Sequence, residues 1–88
     1  MSWKEVGHVL GSPLTKKVME CLSKSERPLT PLEISKRTDI NRSNVSTKLG
    51  QLRHRNLVVC VNPDIKKFRF YKLTPKGKQV LREVVRIK

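Results

Sequence analysis

The stretch NRSNVSTKLGQLRHRN, residues 41–56, gathers many of the side chains in this chain that can read another molecule. Arg42, Ser43, Asn44, Thr47 and Gln51 present donors and acceptors, Ser46 and Lys48 add a hydroxyl and a charge, and Arg53, His54 and Arg55 follow. Not one acidic residue interrupts them. An ordinary solvated helix mixes signs so that neighbouring charges offset each other. These residue types suit the edges of nucleic-acid bases. Arg bonds guanine at two points, Asn and Gln do the same with adenine, and Ser or Thr serves base edges or phosphates. Phosphates repel carboxylates, which accounts for the missing acids. A second basic group, Lys66, Lys67 and Arg69, lies twenty-odd residues on and is suited to a phosphate backbone, as are Ser46 and Lys48.

Charge over the whole chain points the same way. Among 88 residues, 20 Lys and Arg oppose 7 Asp and Glu, a net charge of +13. Residues 36–78 hold twelve of the basic residues and only Asp39 and Asp64. Such an excess destabilises a compact chain by self-repulsion and implies a polyanionic partner.

Other chemistries find little support. Lone Ser, His and Asp residues show no pattern pairing a nucleophile with its base, so no enzyme activity is expected. Cys21 and Cys60 stand 39 positions apart with no CxxC. A structural zinc site needs four ligands in paired clusters, and His8 and His54 do not complete one. Both cysteines read as core or near-core residues, and neither metal nor cofactor is expected. No apolar run approaches the ~18 residues of a membrane span, and the N-terminus lacks a basic region followed by an apolar one. The expectation is a cytoplasmic protein without membrane contact.

The elements that position these residues follow from capping signals and periodicity. Ser2 and Glu5 fit a capping box opening a short helix, 2–10, that carries Trp3, Val6, Val9 and Leu10. Ser12 and Pro13 open a second helix with Leu14, Val18, Cys21 and Leu22 on one side. SERP reads as a turn or short extended link. Thr30 and Glu33, around Pro31, form another capping box; Leu32 and Ile34 are its burial candidates. Asn41 then caps a helix over 42–55, ended by Asn56 in the left-handed conformation. Val45, Leu49 and Leu52 fall within roughly 60° of one another and face the core.

Beyond this helix the character changes. LVVCV (57–61) and FRFYKL (68–73) read as two strands of a hairpin around the turn NPDIKK. Alternation puts Arg69, Tyr71 and Leu73 on one face and Phe68, Phe70 and Lys72 on the other. An aromatic residue on each leaves the buried side open, with packing favoured over stacking on a base for Phe68 and Phe70. Thr74 and Pro75 start a last helix, 75–88. No repeat or linker divides the chain, so residues 1–88 form one domain.

A short helix, a brief turn and a second helix with its polar face outward make a helix-turn-helix arrangement. EIS (33–35), VSTKLGQL (45–52), LV (57–58) and YKLTPKG (71–77) resemble the winged-helix transcriptional regulators of the MarR-like and ArsR-like groups, over residues 12–82. The resemblance implies a mostly helical α+β winged helix-turn-helix fold with a two-stranded hairpin wing and a C-terminal helix. It also implies a homodimer that binds duplex DNA sequence-specifically, the recognition helix 42–55 in the major groove and the wing, 62–69, alongside. Two departures matter. Residues 28–41 lack the cysteine cluster of the metal-sensing ArsR-like members, and the terminal helices are shorter than those of the larger MarR-like members. Sensing of a metal or small molecule therefore does not carry over.

In the last helix Val80, Leu81, Val84, Val85 and Ile87 cover about 160°, wider than the roughly 100° that one core contact needs. The opening segment adds further apolar residues. Trp3, Val6, Leu10, Leu81, Val84 and Val85 are thus expected to form a two-fold dimer interface. The alternative from another class is a winged-helix protein-interaction subunit of a transcription or nucleic-acid-processing complex. Duplex RNA is a poorer fit, because its narrow major groove does not admit an intact helix.

Overall fold

Three helices begin on a hydroxyl residue followed by proline. In the computed structural model, which describes residues 3–86, α1 is Trp3–Leu10, α2 Pro13–Lys24, α3 Pro31–Thr38, α4 Arg42–His54 and α5 Pro75–Arg86. Ser12 Oγ accepts from the Thr15 amide at 3.3 Å, and Thr74 Oγ1 from the Gly77 amide at 2.9 Å. At α3 the capping box closes both ways: Thr30 Oγ1 accepts from Glu33 N, and Glu33 Oε1 from Thr30 N. Each side chain satisfies an amide that the first helical turn leaves unpaired, and proline there forfeits no bond. The Ser2 half of the expected first capping box lies outside the described residues. Glu5 is buried and paired elsewhere.

The turn between α3 and α4 sets the direction of α4. Asp39, at φ 60°, ends α3 in the left-handed region. Ser35 Oγ donates to Ile40 O at 2.6 Å, Thr38 Oγ1 donates to Ile34 O at 2.7 Å, and Ile40 is buried beneath the turn. Asn41 Oδ1 then accepts from the Ser43 amide at 2.8 Å. Val45, Leu49 and Leu52 enter the core together, as their spacing requires. Asn56, at φ 63°, ends the α4 segment in the expected conformation.

Two strands follow, β1 Val58–Cys60 and β2 Tyr71–Leu73, antiparallel with Val58 opposite Leu73 and Cys60 opposite Tyr71. They are shorter than the expected 57–61 and 68–73. Pairing continues through Val61 N to Phe70 O at 2.9 Å and ends at Phe68, whose φ of 58° leaves extended geometry. The buried face, which alternation left open, is the one with Tyr71 and Leu73. Leu73 is buried and Tyr71 packs against the core, Phe70 is half-buried, and Phe68 is exposed. Phe68 is therefore not packed as expected. Leu29 also pairs with Tyr71 in both directions, N to O at 3.0 and 2.8 Å. The SERP link thus leads into a bridge on the hairpin's open side.

One core joins all elements, including Met19, Leu29, Ile34, Leu57, Val80 and Val84. The expected division of apolar residues needs correction at both ends. Val6, Leu81 and Val84 are buried within the chain itself, because α1 packs on α5 and the interior has room for both. Trp3, Leu10 and Val85 of the expected interface stay exposed, and Ile87 lies outside the described residues. Leu32 is exposed rather than buried, since on α3 the core takes Ile34. Cys21 and Cys60 are buried and free, and burial pushes the Cys21 thiol up from its ordinary range.

Candidate nucleic-acid interface

Helix α4 presents its polar side outward along its length. Arg42, Ser43, Asn44, Ser46, Thr47 and Gln51 are exposed, and Lys48 is half-buried. Two of the hydroxyls are committed to the helix: Ser43 Oγ donates to Asn41 Oδ1 at 2.7 Å, and Thr47 Oγ1 to Ser43 O at 3.0 Å. Both hydroxyl oxygens keep acceptor capacity, and both residues are exposed. Arg42, Asn44 and Gln51 have no side-chain bond among the described residues and keep their full donor and acceptor sets.

The wing stands beside the start of α4. Arg42 and Ser46 face Lys66, Lys67 and Arg69 across a cleft of about 460 Å³ whose wall includes Leu32 and Phe68. Residues 20 or more apart in sequence thus form one basic surface. Lys66 and Lys67 extend freely from the tip. Arg69 does not: its guanidinium donates to Ile65 O at 2.7 Å and to Pro63 O at 3.4 Å. It holds the wing as well as adding charge.

Sequence reasoning passed over Gly50. It lies mid-helix on the exposed side, and a Cβ placed there meets nothing within 4 Å. Glycine in a helix interior costs roughly 0.5–1 kcal/mol relative to alanine. No packing need explains it. The signal was visible, a glycine between Leu49 and Gln51, but only the empty space around it separates a close-approach surface from a packing requirement.

The C-terminal end of α4 is anchored from two directions. Arg55 Nη1 donates to the buried carboxylate of Glu5 at 3.2 Å, joining α4 to α1. His8 lies at the same seam. Its imidazole is held below the ordinary value, first by desolvation and then by Arg55, with Glu5 opposing and Lys48 adding slightly. On the other side Lys76 Nζ donates to Arg55 O at 3.2 Å, and Thr74 Oγ1 to Asn56 O at 2.6 Å. Among the described residues no three His, Cys, Asp or Glu side chains group to hold a metal, and no helix is long and apolar enough to cross a membrane.

A helix-turn-helix whose second helix carries an exposed, acid-free polar side next to a basic hairpin defines a winged-helix module. The chain belongs to the helix-turn-helix domain family, whose model matches residues 10–61. The YusO protein from Bacillus subtilis superposes with a TM-score of 0.78 at 25% identity, over 93% of this chain and 59% of that one. Staphylococcus aureus MarR, solved with salicylate and kanamycin, gives 0.72 at 28% identity, over 81% and 47%. The transcriptional repressor CouR, bound to a 23-mer DNA duplex, gives 0.75 at 23% identity, over 94% and 61%. No curated protein sequence matches this chain. The chain spans about half to three-fifths of the length of these three structures. Its winged-helix fold is that of MarR-type transcription regulators, not of enzymes.

Proposed function

We propose that this protein is a cytoplasmic transcriptional regulator that binds double-stranded DNA sequence-specifically as a homodimer. Helix α4 enters the major groove, where Arg42, Ser43, Asn44, Thr47 and Gln51 read bases. Ser46, Lys48, Lys66, Lys67 and Arg69 face the backbone, with the wing on the adjacent strand or minor groove. The observation that carries this reading is the single cleft that sets the outward side of α4 against the basic wing tip. A repressor of the same fold held on duplex DNA supports it.

Salt dependence tests the reading. If six or more phosphates are neutralised per dimer, log K for duplex DNA falls with log salt at a slope of about −5 or steeper. Replacing Lys66 and Lys67 by alanine weakens all sequences alike and flattens that slope. Asn44→Ala or Arg42→Ala costs about 1–3 kcal/mol on a selected site and relaxes preference at particular base pairs. Salt-independent binding, or no duplex binding, would leave the fold as a protein-interaction module.

Trp3, Leu10 and Val85, exposed on the two helices that pack together, support the dimer. It places two α4 helices about 10–10.5 bp apart on a near-palindromic site. Sedimentation equilibrium at micromolar concentration checks this. A 10.2 kDa species throughout, unaltered by Val85→Glu, speaks against it.

A further inference from the structure

Phe68 is the most exposed of the large apolar side chains in the described chain, 73% accessible, and Ile65 beside it is 51% accessible. Its backbone sits at φ 58°, a region that a bulky residue rarely occupies. Two neighbours impose that conformation. Asn62 Nδ2 donates to Phe68 O at 3.1 Å while Asn62 Oδ1 accepts from Phe70 N at 2.8 Å. The Arg69 guanidinium grips Ile65 O and Pro63 O on the other side of the loop. Both braces act on main-chain atoms. The ring itself receives little cover from the fold, and glycine would take the same φ without strain. An exposed aromatic ring held in a costly conformation by a braced loop points to a role outside the domain.

Its surroundings indicate what it meets. Phe68 borders the same cleft as Arg42, Ser46, Lys66 and Lys67. A phosphate strand crossing that cleft, with α4 in the major groove, brings the wing tip to the neighbouring minor groove. Apolar side chains entering there part adjacent base pairs and kink the duplex. We propose, resting on the DNA-binding reading above, that Phe68 is an apolar wedge that enters the minor groove and opens a base step. The protein then reads duplex flexibility as well as base edges. Pyrimidine–purine steps such as TA unstack easily, whereas A-tracts are stiff.

The test uses two 24-bp duplexes of identical A·T composition, one alternating TA and one with uninterrupted A-tracts, each with a central 2-aminopurine. The intact protein binds the alternating duplex about tenfold more tightly, as the cost of parting a stiff step requires, and raises its 2-aminopurine fluorescence. Phe68→Ala and Phe68→Gly abolish both the preference and the rise, while retaining the salt slope of the parent. Phe68→Gly also melts no lower than the parent, because the strain at φ 58° is relieved. Replacing Lys66 and Lys67 by alanine weakens both duplexes equally. Equal binding of the two duplexes without a fluorescence rise overturns the wedge and leaves the DNA-binding reading standing. So do Phe68 variants that behave like the parent, or tighter binding to the single strands. Failure to bind any duplex removes the DNA-binding reading itself.

Discussion

Arg55, just beyond α4, donates to the Glu5 carboxylate of α1 at 3.2 Å, across fifty positions of sequence. The pair is unequal: the Arg55 side chain is 29% exposed and that of Glu5 only 9%. Freed from its partner, Arg55 can turn to water, whereas Glu5 is left as a buried charge.

The two halves of the pair should therefore respond differently to mutation. Glu5→Gln costs about 1–2 kcal/mol, a lost charge-assisted hydrogen bond. Arg55→Met costs about 3–5 kcal/mol, because it strands the carboxylate. The double variant recovers most of the difference. Urea melts of all four proteins check this, and additive single effects would show the two residues to be uncoupled.

Gly77 is a second long-range constraint. A Cβ at this position would lie 2.0 Å from Leu57 O and 2.9 Å from Leu57 C, and both are main-chain atoms. Leu57 O already accepts from Thr74 N at 3.1 Å, so the residue leading into β1 and the start of α5 cannot part without losing that bond. Gly77→Ala should destabilise by about 2–4 kcal/mol, against the usual gain of alanine in a helix. Thermal unfolding with no loss of Tm would contradict the close approach.

Gly50→Ala should behave in the opposite way. With open space around the new methyl group, the helix gains up to about 1 kcal/mol. If the outward side of α4 approaches DNA closely, affinity falls as stability rises. Paired measurements of Tm and duplex affinity decide it; a variant that gains both would show that no backbone contact forms there.

Acid should act at two separate sites. Hydrogen bonding to Arg27, then to the Thr30 amide, holds the Glu33 carboxyl down to about 2 from 4.5. A depressed carboxyl contributes stability above its unfolded value that is lost as pH falls from 4.5 towards about 2. Glu33→Gln flattens that decline. His8, lowered by burial, is favoured neutral in the fold, so stability drops as pH falls below its ordinary 6.5. His8→Gln removes that part only. Melting curves from pH 2 to 8 separate the two, and identical profiles for parent and variants would reject both assignments.

The helix starts were legible in the sequence because capping is local. Ser12, Thr30, Asn41 and Thr74 act on amides two or three residues away, and proline follows three of them. The inward line of Val45, Leu49 and Leu52 and the outward residues of α4 follow equally from 3.6-residue periodicity. Burial at the two ends of the chain was decided elsewhere. Val6 and Val84 are equally apolar in any reading, and only the packing of α1 on α5 puts them inside while leaving Trp3 and Val85 out. The expected strand start and the packing of Phe68 failed because a single residue at positive φ, held by Asn62, ends the extended run and leaves its ring exposed. The union of Arg42 with Lys66 and Lys67, the bridge of Leu29 to Tyr71 and the Glu5–Arg55 pair join segments 24 to 50 positions apart. Local propensities specify the helices and their polar and apolar sides, but which distant segments meet depends on how one shared core is filled.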